Sequence, residues 1–174
     1  MNYAFGVDIG GTNTEIGLVD EDGRILHRKT IPTINKDKSW KDYFQRLSNN
    51  LKKIINLEPN MKINGIGLGA PNASHFTGII QSPPNLTFGD NHVPSSLKQF
   101  IDLDVKLTND ANAAALGENM FGHGRKMKNF VVITLGTGLG SGIFINGELL
   151  VGHRGFAGEM GHVVIDPNGR ICEC

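Results

Sequence analysis

Residues 3–31 read Tyr-Ala-Phe-Gly-Val-Asp-Ile-Gly-Gly-Thr-Asn-Thr-Glu-Ile-Gly-Leu-Val-Asp-Glu-Asp-Gly-Arg-Ile-Leu-His-Arg-Lys-Thr-Ile. Residues 3–9 and 14–20 alternate loosely and are rich in β-formers, which predicts two strands. Gly10-Gly11-Thr12-Asn13 between them is a turn signal, and Asp22-Gly23 is a hairpin dipeptide leading to a third strand at 24–31. The chain thus opens with a three-stranded antiparallel meander. Beyond it, Ser39 is placed to cap a helix whose apolar residues Trp40, Tyr43, Phe44, Leu47, Leu51, Ile54 and Ile55 recur at helical spacing. Residues 63–68 read as a buried strand. Residues 70–94, rich in Pro, Asn, Ser and Gly, read largely as loop with at most a short hairpin. A short helix at about 95–102 and a strand at 104–108 follow. Asn109-Asp110 opens an Ala-rich helix over 111–121, closed by Gly122. A second unit starts near residue 123. It has a strand Phe130–Leu135, a glycine loop Gly136–Gly142, a return strand Gly142–Asn146 and an Asn146-Gly147 turn. The expected organisation is α/β, with an N-terminal domain over 1–122 and the start of a second over 123–174. About 50 residues lie near the lower limit for an independent core, so the second domain reads as incomplete.

Composition narrows the function. The 174 residues carry 17 Lys+Arg and 17 Asp+Glu, so the net charge is zero and there is no electrostatic footprint for nucleic acid or an anionic membrane. No stretch approaches the ~20 apolar residues of a membrane span, and Met-Asn-Tyr-Ala-Phe-Gly-Val-Asp-Ile-Gly-Gly is not a secretory leader. The two cysteines, Cys172 and Cys174, stand in the last three residues. One intervening residue makes a mutual disulfide strained, and the expected cytoplasmic setting favours metal over a crosslink. A chain ending on such a pair reads as a truncated one.

The 23 glycines cluster, which marks sharp turns or close approach to a ligand. No Lys follows a glycine in the Walker frame, and neither glycine turn leads from a strand into a helix as a Rossmann loop does. Both turns lie between strands. In a tight glycine hairpin the N–H groups point outward and are suited to phosphate oxygens, although either turn alone reads equally well as a plain β-turn. Asp8, just before the first turn, adds a carboxylate suited to Mg²⁺ near those phosphates.

Taken in order, Asp8-Ile-Gly-Gly-Thr-Asn13, Asn109-Asp-Ala-Asn-Ala-Ala114, Leu135-Gly-Thr-Gly-Leu-Gly-Ser-Gly142, Gly158-Glu-Met-Gly-His162 and Cys172-Glu-Cys174 resemble the ROK family of sugar kinases and related repressors. Ser82-Pro-Pro-Asn-Leu86 is similar to the sugar-proximal segment of bacterial ROK glucokinases. The resemblance implies the actin/hexokinase/Hsp70-like ATPase (ribonuclease H-like) fold. It implies that ATP and Mg²⁺ are held by Asp8, Gly10, Gly11, Thr12 and Asn13 and, in the second domain, by Gly136, Thr137 and Gly138. Asp110 resembles the base that takes the proton from the attacking sugar hydroxyl; capping of a helix by Asn109 or Asp110 is compatible with that role. Sugar contacts are implied for Gly69, Ala70, Asn85, Asn109, Asp110, Glu159 and His162. Many relatives have glycine where Asn72 stands, a mild departure because asparagine tolerates left-handed backbone. His162, Cys172 and Cys174 supply zinc-type ligands, one short of a closed tetrahedral site, so Zn²⁺ is expected in the full-length protein.

The expected activity is an ATP-dependent hexose kinase of glucokinase type, with the sugar in the cleft between two domains. Kinases for N-acetylglucosamine, N-acetylmannosamine or fructose are rivals within the family. A sugar-sensing repressor is a rival of another class. Such repressors carry a helix-turn-helix before the kinase-like part, whereas here the first strand starts at residue 3. The resemblance implies that the 174-residue chain stops short of the family's adenine-binding region, so alone it is expected to be weak or inactive and to dimerise through exposed apolar surface.

Overall fold

The computed structural model describes residues 1–33, 37–82, 89–136 and 138–171. The chain forms two compact units, Met1–Ala113 and Ala114–Cys174. The first opens with β1 (Asn2–Ile9), β2 (Asn13–Asp20) and β3 (Ile25–Pro32), paired antiparallel as expected. At the β2–β3 turn the buried Asp20 accepts from the N–H groups of Asp22 (3.0 Å) and Arg24 (2.9 Å), while Gly23 takes φ +82°. Helix α1 (Trp40–Leu57) starts where Ser39 Oγ accepts from Asp42 N and the Asp42 carboxylate accepts in return from Ser39 Oγ and Lys38 N. This reciprocal box satisfies amides that the first turn would otherwise leave unpaired.

Then follow β4 (Lys62–Ala70), the two-residue strands β5 (Ala73–Ser74), β6 (Ile79–Ile80) and β7 (Asn91–His92), helix α2 (Val93–Lys98), β8 (Val105–Asn109) and helix α3 (Asp110–Met120). The main sheet has the order β3-β2-β1-β4-β8, with β4 parallel to both β1 and β8. One face of this sheet is apolar by strict alternation. Phe5, Val7, Ile9, Ile16, Leu18, Ile66, Leu68 and Leu107 form one cluster with the α1 stripe Trp40, Tyr43, Phe44, Leu47, Leu51 and Ile54. Trp40 stacks on Phe44 at 5.4 Å and Tyr43 meets both rings edge-on. Burying each such side chain contributes about 1.5–3 kcal/mol, and this helix–sheet layer carries the first unit.

Three differences from the sequence reading stand out. The stretch 70–94 holds a small three-stranded antiparallel sheet, β5-β6-β7, whose two-residue strands are too short to show a period. Helix α2 begins at Val93 rather than 95, with Pro94 in its first turn, where a missing N–H loses nothing. In the second unit, β9 (Phe130–Leu135), β10 (Leu139–Ile145) and β11 (Glu148–Leu149) pair in the order β11-β10-β9, and the return strand begins at Leu139, not Gly142. Gly140, Ser141 and Gly142 are extended opposite Thr134, Ile133 and Val132, because cross-strand pairing overrides their weak β-propensity. Gly140–Gly142 of the expected glycine loop therefore belong to β10. Asn146 (φ +54°) and Gly147 (φ +85°) close the next hairpin.

Candidate active site

Parallel strands end on a common edge, and loops there collect ligand-binding groups. In the first unit β1, β4 and β8 end at Ile9, Ala70 and Asn109. The register sets Asp8 opposite Gly69 and Gly69 opposite Thr108, and sets Ala70 opposite Asn109. A Cβ on Gly69 would lie 3.2 Å from Ala113 Cβ, 3.5 Å from Asp110 Cα and 3.8 Å from Asp8 Oδ1. The expected residues Asp8, Gly69, Ala70, Asn109 and Asp110 are thus brought together, and a bare backbone at 69 lets helix α3 approach. The Asp8 carboxyl is pushed above its ordinary value of 3.8, first by desolvation, then by the Asp110 charge, then by that of Glu15 across the β1–β2 ladder. Glu15 is drawn aside by Thr30 Oγ1 (2.7 Å) and Arg28 Nε (3.2 Å), which hold its own carboxyl below its ordinary value. Crowded carboxylates of this kind suit a hard divalent cation with oxygen ligands, and a cation there would offset their repulsion.

Asn109 caps α3, its Oδ1 accepting from Ala111 N (2.9 Å) and Asn112 N (3.3 Å). Asp110 Oδ1 also accepts from Ala111 N at 2.8 Å, and among the described residues no donor bonds its Oδ2. Capping and an available carboxylate oxygen coexist, as the sequence suggested.

The Gly10–Asn13 turn closes on a Gly10 N–H···O=C Asn13 bond of 3.0 Å. A Cβ at Gly10 would sit 2.9 Å from that same carbonyl oxygen. Among the described residues nothing accepts from the N–H of Gly11 or of Thr12. Behind the turn runs a chain of buried hydroxyls that the sequence reading missed. Tyr43 OH lies 2.8 Å from Thr14 Oγ1, which lies 2.9 Å from Thr33 Oγ1, which donates to Gly10 O at 2.6 Å. These residues stand 19 and 29 positions apart, so no local pattern joins them. Asn72 has φ +52°, the left-handed backbone that its asparagine tolerates.

In the second unit the Gly158-Glu-Met-Gly-His162 segment lies along the start of β10. Ser141 Oγ donates to Gly158 O, and a Cβ on Gly158 (φ +87°) would stand 2.7 Å from Ser141 O. A Cβ on Gly161 would overlap Leu139 O. These contacts set Glu159 and His162 beside the strand that leaves the Gly136–Gly138 bend, with 3.7 Å between His162 Nε2 and Glu159 Oε2. The bend itself has a Gly136 N–H···O=C Gly138 bond of 3.0 Å. Asn85, Thr137, Cys172 and Cys174 lie outside the described residues. Among the described residues no group of three or more His, Cys, Asp or Glu side chains could hold a metal. No described helix is long and apolar enough to cross a membrane.

Residues 4–174 match the ROK family over its sequence pattern. The chain belongs to the ROK family. It is 40% identical over 173 residues to a glucokinase of Thermotoga maritima, covering 97% of this chain and 53% of that protein. It is 32% identical to the xylose repressor of Bacillus subtilis, covering 99% of this chain and 45% of the repressor. Among solved structures, a ROK family glucokinase from Streptomyces griseus in complex with glucose and AMPPNP matches with a TM-score of 0.82 at 33% identity, covering 96% of this chain and 52% of that one. The chain therefore spans about half the length of the ROK relatives it matches. Its architecture is the actin/hexokinase-like ATPase fold of ROK sugar kinases, as the motifs implied.

Proposed function

We propose that the protein carrying this chain is an ATP-dependent hexose kinase of glucokinase type. The observation that carries the reading is the meeting of Asp8 and Asp110 about Gly69, at the strand edge that also bears a turn with unspent amides. The likeness to the Thermotoga maritima glucokinase supports it.

In this reading the N–H groups of Gly11, Thr12 and Asn13, and those of Thr137 and Gly138, bind phosphate oxygens, while the Gly136 N–H closes its own bend on Gly138 O. Asp8 would hold Mg²⁺, directly or through water, and the ion would supply charge neutralisation at the phosphates. Asp110 orients the sugar 6-hydroxyl and takes its proton on Oδ2 as that oxygen bonds to the γ-phosphorus and the bond to the bridging oxygen of ADP breaks. Such a transition state is loose, so placement and charge neutralisation outweigh base strength. Because Asn109 Oδ1 is engaged by the α3 amides, its Nδ2 is the group left for a sugar oxygen. Glu159, His162, Asn85 and the Gly69–Ala70 backbone supply further sugar contacts. His162, Cys172 and Cys174 would supply zinc-type donors, a set that a fourth ligand would close. The proposed setting is cytoplasmic.

A sugar-responsive repressor is the second reading, favoured by the likeness to the Bacillus subtilis xylose repressor. Coupled-assay turnover across a panel of glucose, fructose, N-acetylglucosamine and N-acetylmannosamine separates the two. ATP-dependent phosphorylation, fastest with glucose, is expected. Sugar binding with no phosphorylated product from any of them would favour the sensor.

A further inference from the structure

We infer that Thr33, Thr14 and Tyr43 are positioning residues that aim the Gly11 and Asn13 amides at phosphate through a hydroxyl chain of fixed direction. The inference rests on the kinase reading above and deepens it. Its polarity follows from donor counting. Gly10 O can only accept, so Thr33 must spend its one hydroxyl proton there. Thr33 Oγ1 then accepts from Thr14, and Thr14 Oγ1 accepts from Tyr43. Thr14, Thr33 and Tyr43 are each fully buried, so no water competes for these bonds. Burial also pushes the Tyr43 phenol well above its ordinary range, which keeps its proton in place as the head of the chain.

Thr33 grips the turn twice, since its N–H also donates to Thr12 O at 2.8 Å. In a planar trans peptide the C=O and the following N–H point in opposite directions. Tying Gly10 O and Thr12 O back onto Thr33 therefore turns the N–H groups of Gly11 and Asn13 the other way. Thr33 is itself fixed by Arg46 of α1, which donates to Pro32 O (2.8 Å) and Thr33 O (3.0 Å) and pairs with Asp37. The glycine turn is flexible by composition, and this backing supplies the rigidity that an anion site needs.

The test is steady-state kinetics on the protein as its gene encodes it. Thr33→Val keeps the shape and removes the hydroxyl; it is expected to raise KM for Mg·ATP about tenfold, with KM for sugar within about twofold of the unmodified protein. Thr33→Ser restores the hydroxyl and is expected to bring KM for Mg·ATP back to within about twofold. Tyr43→Phe, at the far end of the chain, is expected to raise it by about threefold. Thermal melts of the same variants separate loss of fold from loss of aim, because Thr33→Ser and Thr33→Val are then compared at equal folded fraction. Turnover in the unmodified protein with an unchanged KM for Mg·ATP in Thr33→Val would overturn this inference alone. No turnover in the unmodified protein with any sugar would overturn the kinase reading and this inference with it.

Discussion

Asp110 has one carboxylate oxygen spent on the first amide of α3 and another that no described donor engages. Asp110→Asn keeps the shape and the Ala111 bond but cannot take a proton. It is expected to lower kcat about 10²–10⁴-fold while sugar affinity, measured by calorimetry, changes little. Asp8 makes a different prediction. Its folded pKa lies above the ordinary 3.8, so near that range the native state binds more protons than the unfolded one. Stability should therefore fall as pH rises from 3.8 through the raised value, with the full penalty present above it. In Mg²⁺-free denaturant titrations Asp8→Asn should remove that part of the slope and be more stable than the unmodified protein at neutral pH. A lower stability for Asp8→Asn there would contradict the crowding of carboxylates. Residue type and motif position made Asp8 and Asp110 legible in the sequence. Thr33 was not legible: its partners Gly10 and Thr14 come to it only when β3 pairs with β2 and α1 covers the sheet.

At the scale of elements, the meander, the capped helix α1, and strands β4 and β8 were all readable, because alternation and cap chemistry are local signals. Ser39→Ala, which removes the side-chain acceptor for Asp42 N, is expected to lower stability by about 1 kcal/mol, read from the denaturant midpoint at unchanged m. The Asp42 carboxyl, held below its ordinary value by Lys38 N and then Ser39, adds stability at neutral pH that is lost as pH falls through its lowered pKa. The start of β10 was not readable, since Leu-Gly-Ser-Gly carries loop propensity and becomes a strand only against β9. That pairing presents Leu139 O to Gly161, where any Cβ would overlap it. Gly161→Ala should push the Glu159–His162 turn off β10. Sugar affinity is expected to fall about tenfold or more, with faster hydrogen exchange confined to residues 157–163. Unchanged sugar affinity would show that this turn does not position sugar ligands.

At the scale of the molecule, the second unit bares one face of β9. Val131 (48%), Ile133 (52%) and Leu135 (82%) stand exposed in alternation, and Val164 (76%) and Ile165 (94%) follow further on. Apolar surface of this kind marks an interface, so the 174-residue chain studied alone should self-associate with rising concentration in sedimentation experiments. Ile133→Lys should shift it toward monomer. The same chain, which spans 53% of the Thermotoga maritima glucokinase, should by itself show little or no turnover. The family was legible because five motifs occur in order, whereas each glycine turn alone is also an ordinary β-turn. The most direct measurement is ATP-dependent formation of glucose 6-phosphate by the protein as its gene encodes it, beside its Asp110→Asn variant. Product from the first and at least about a hundredfold less from the second is the predicted result. Product from neither, or equal rates from both, would contradict the assignment of phosphoryl transfer to this strand edge.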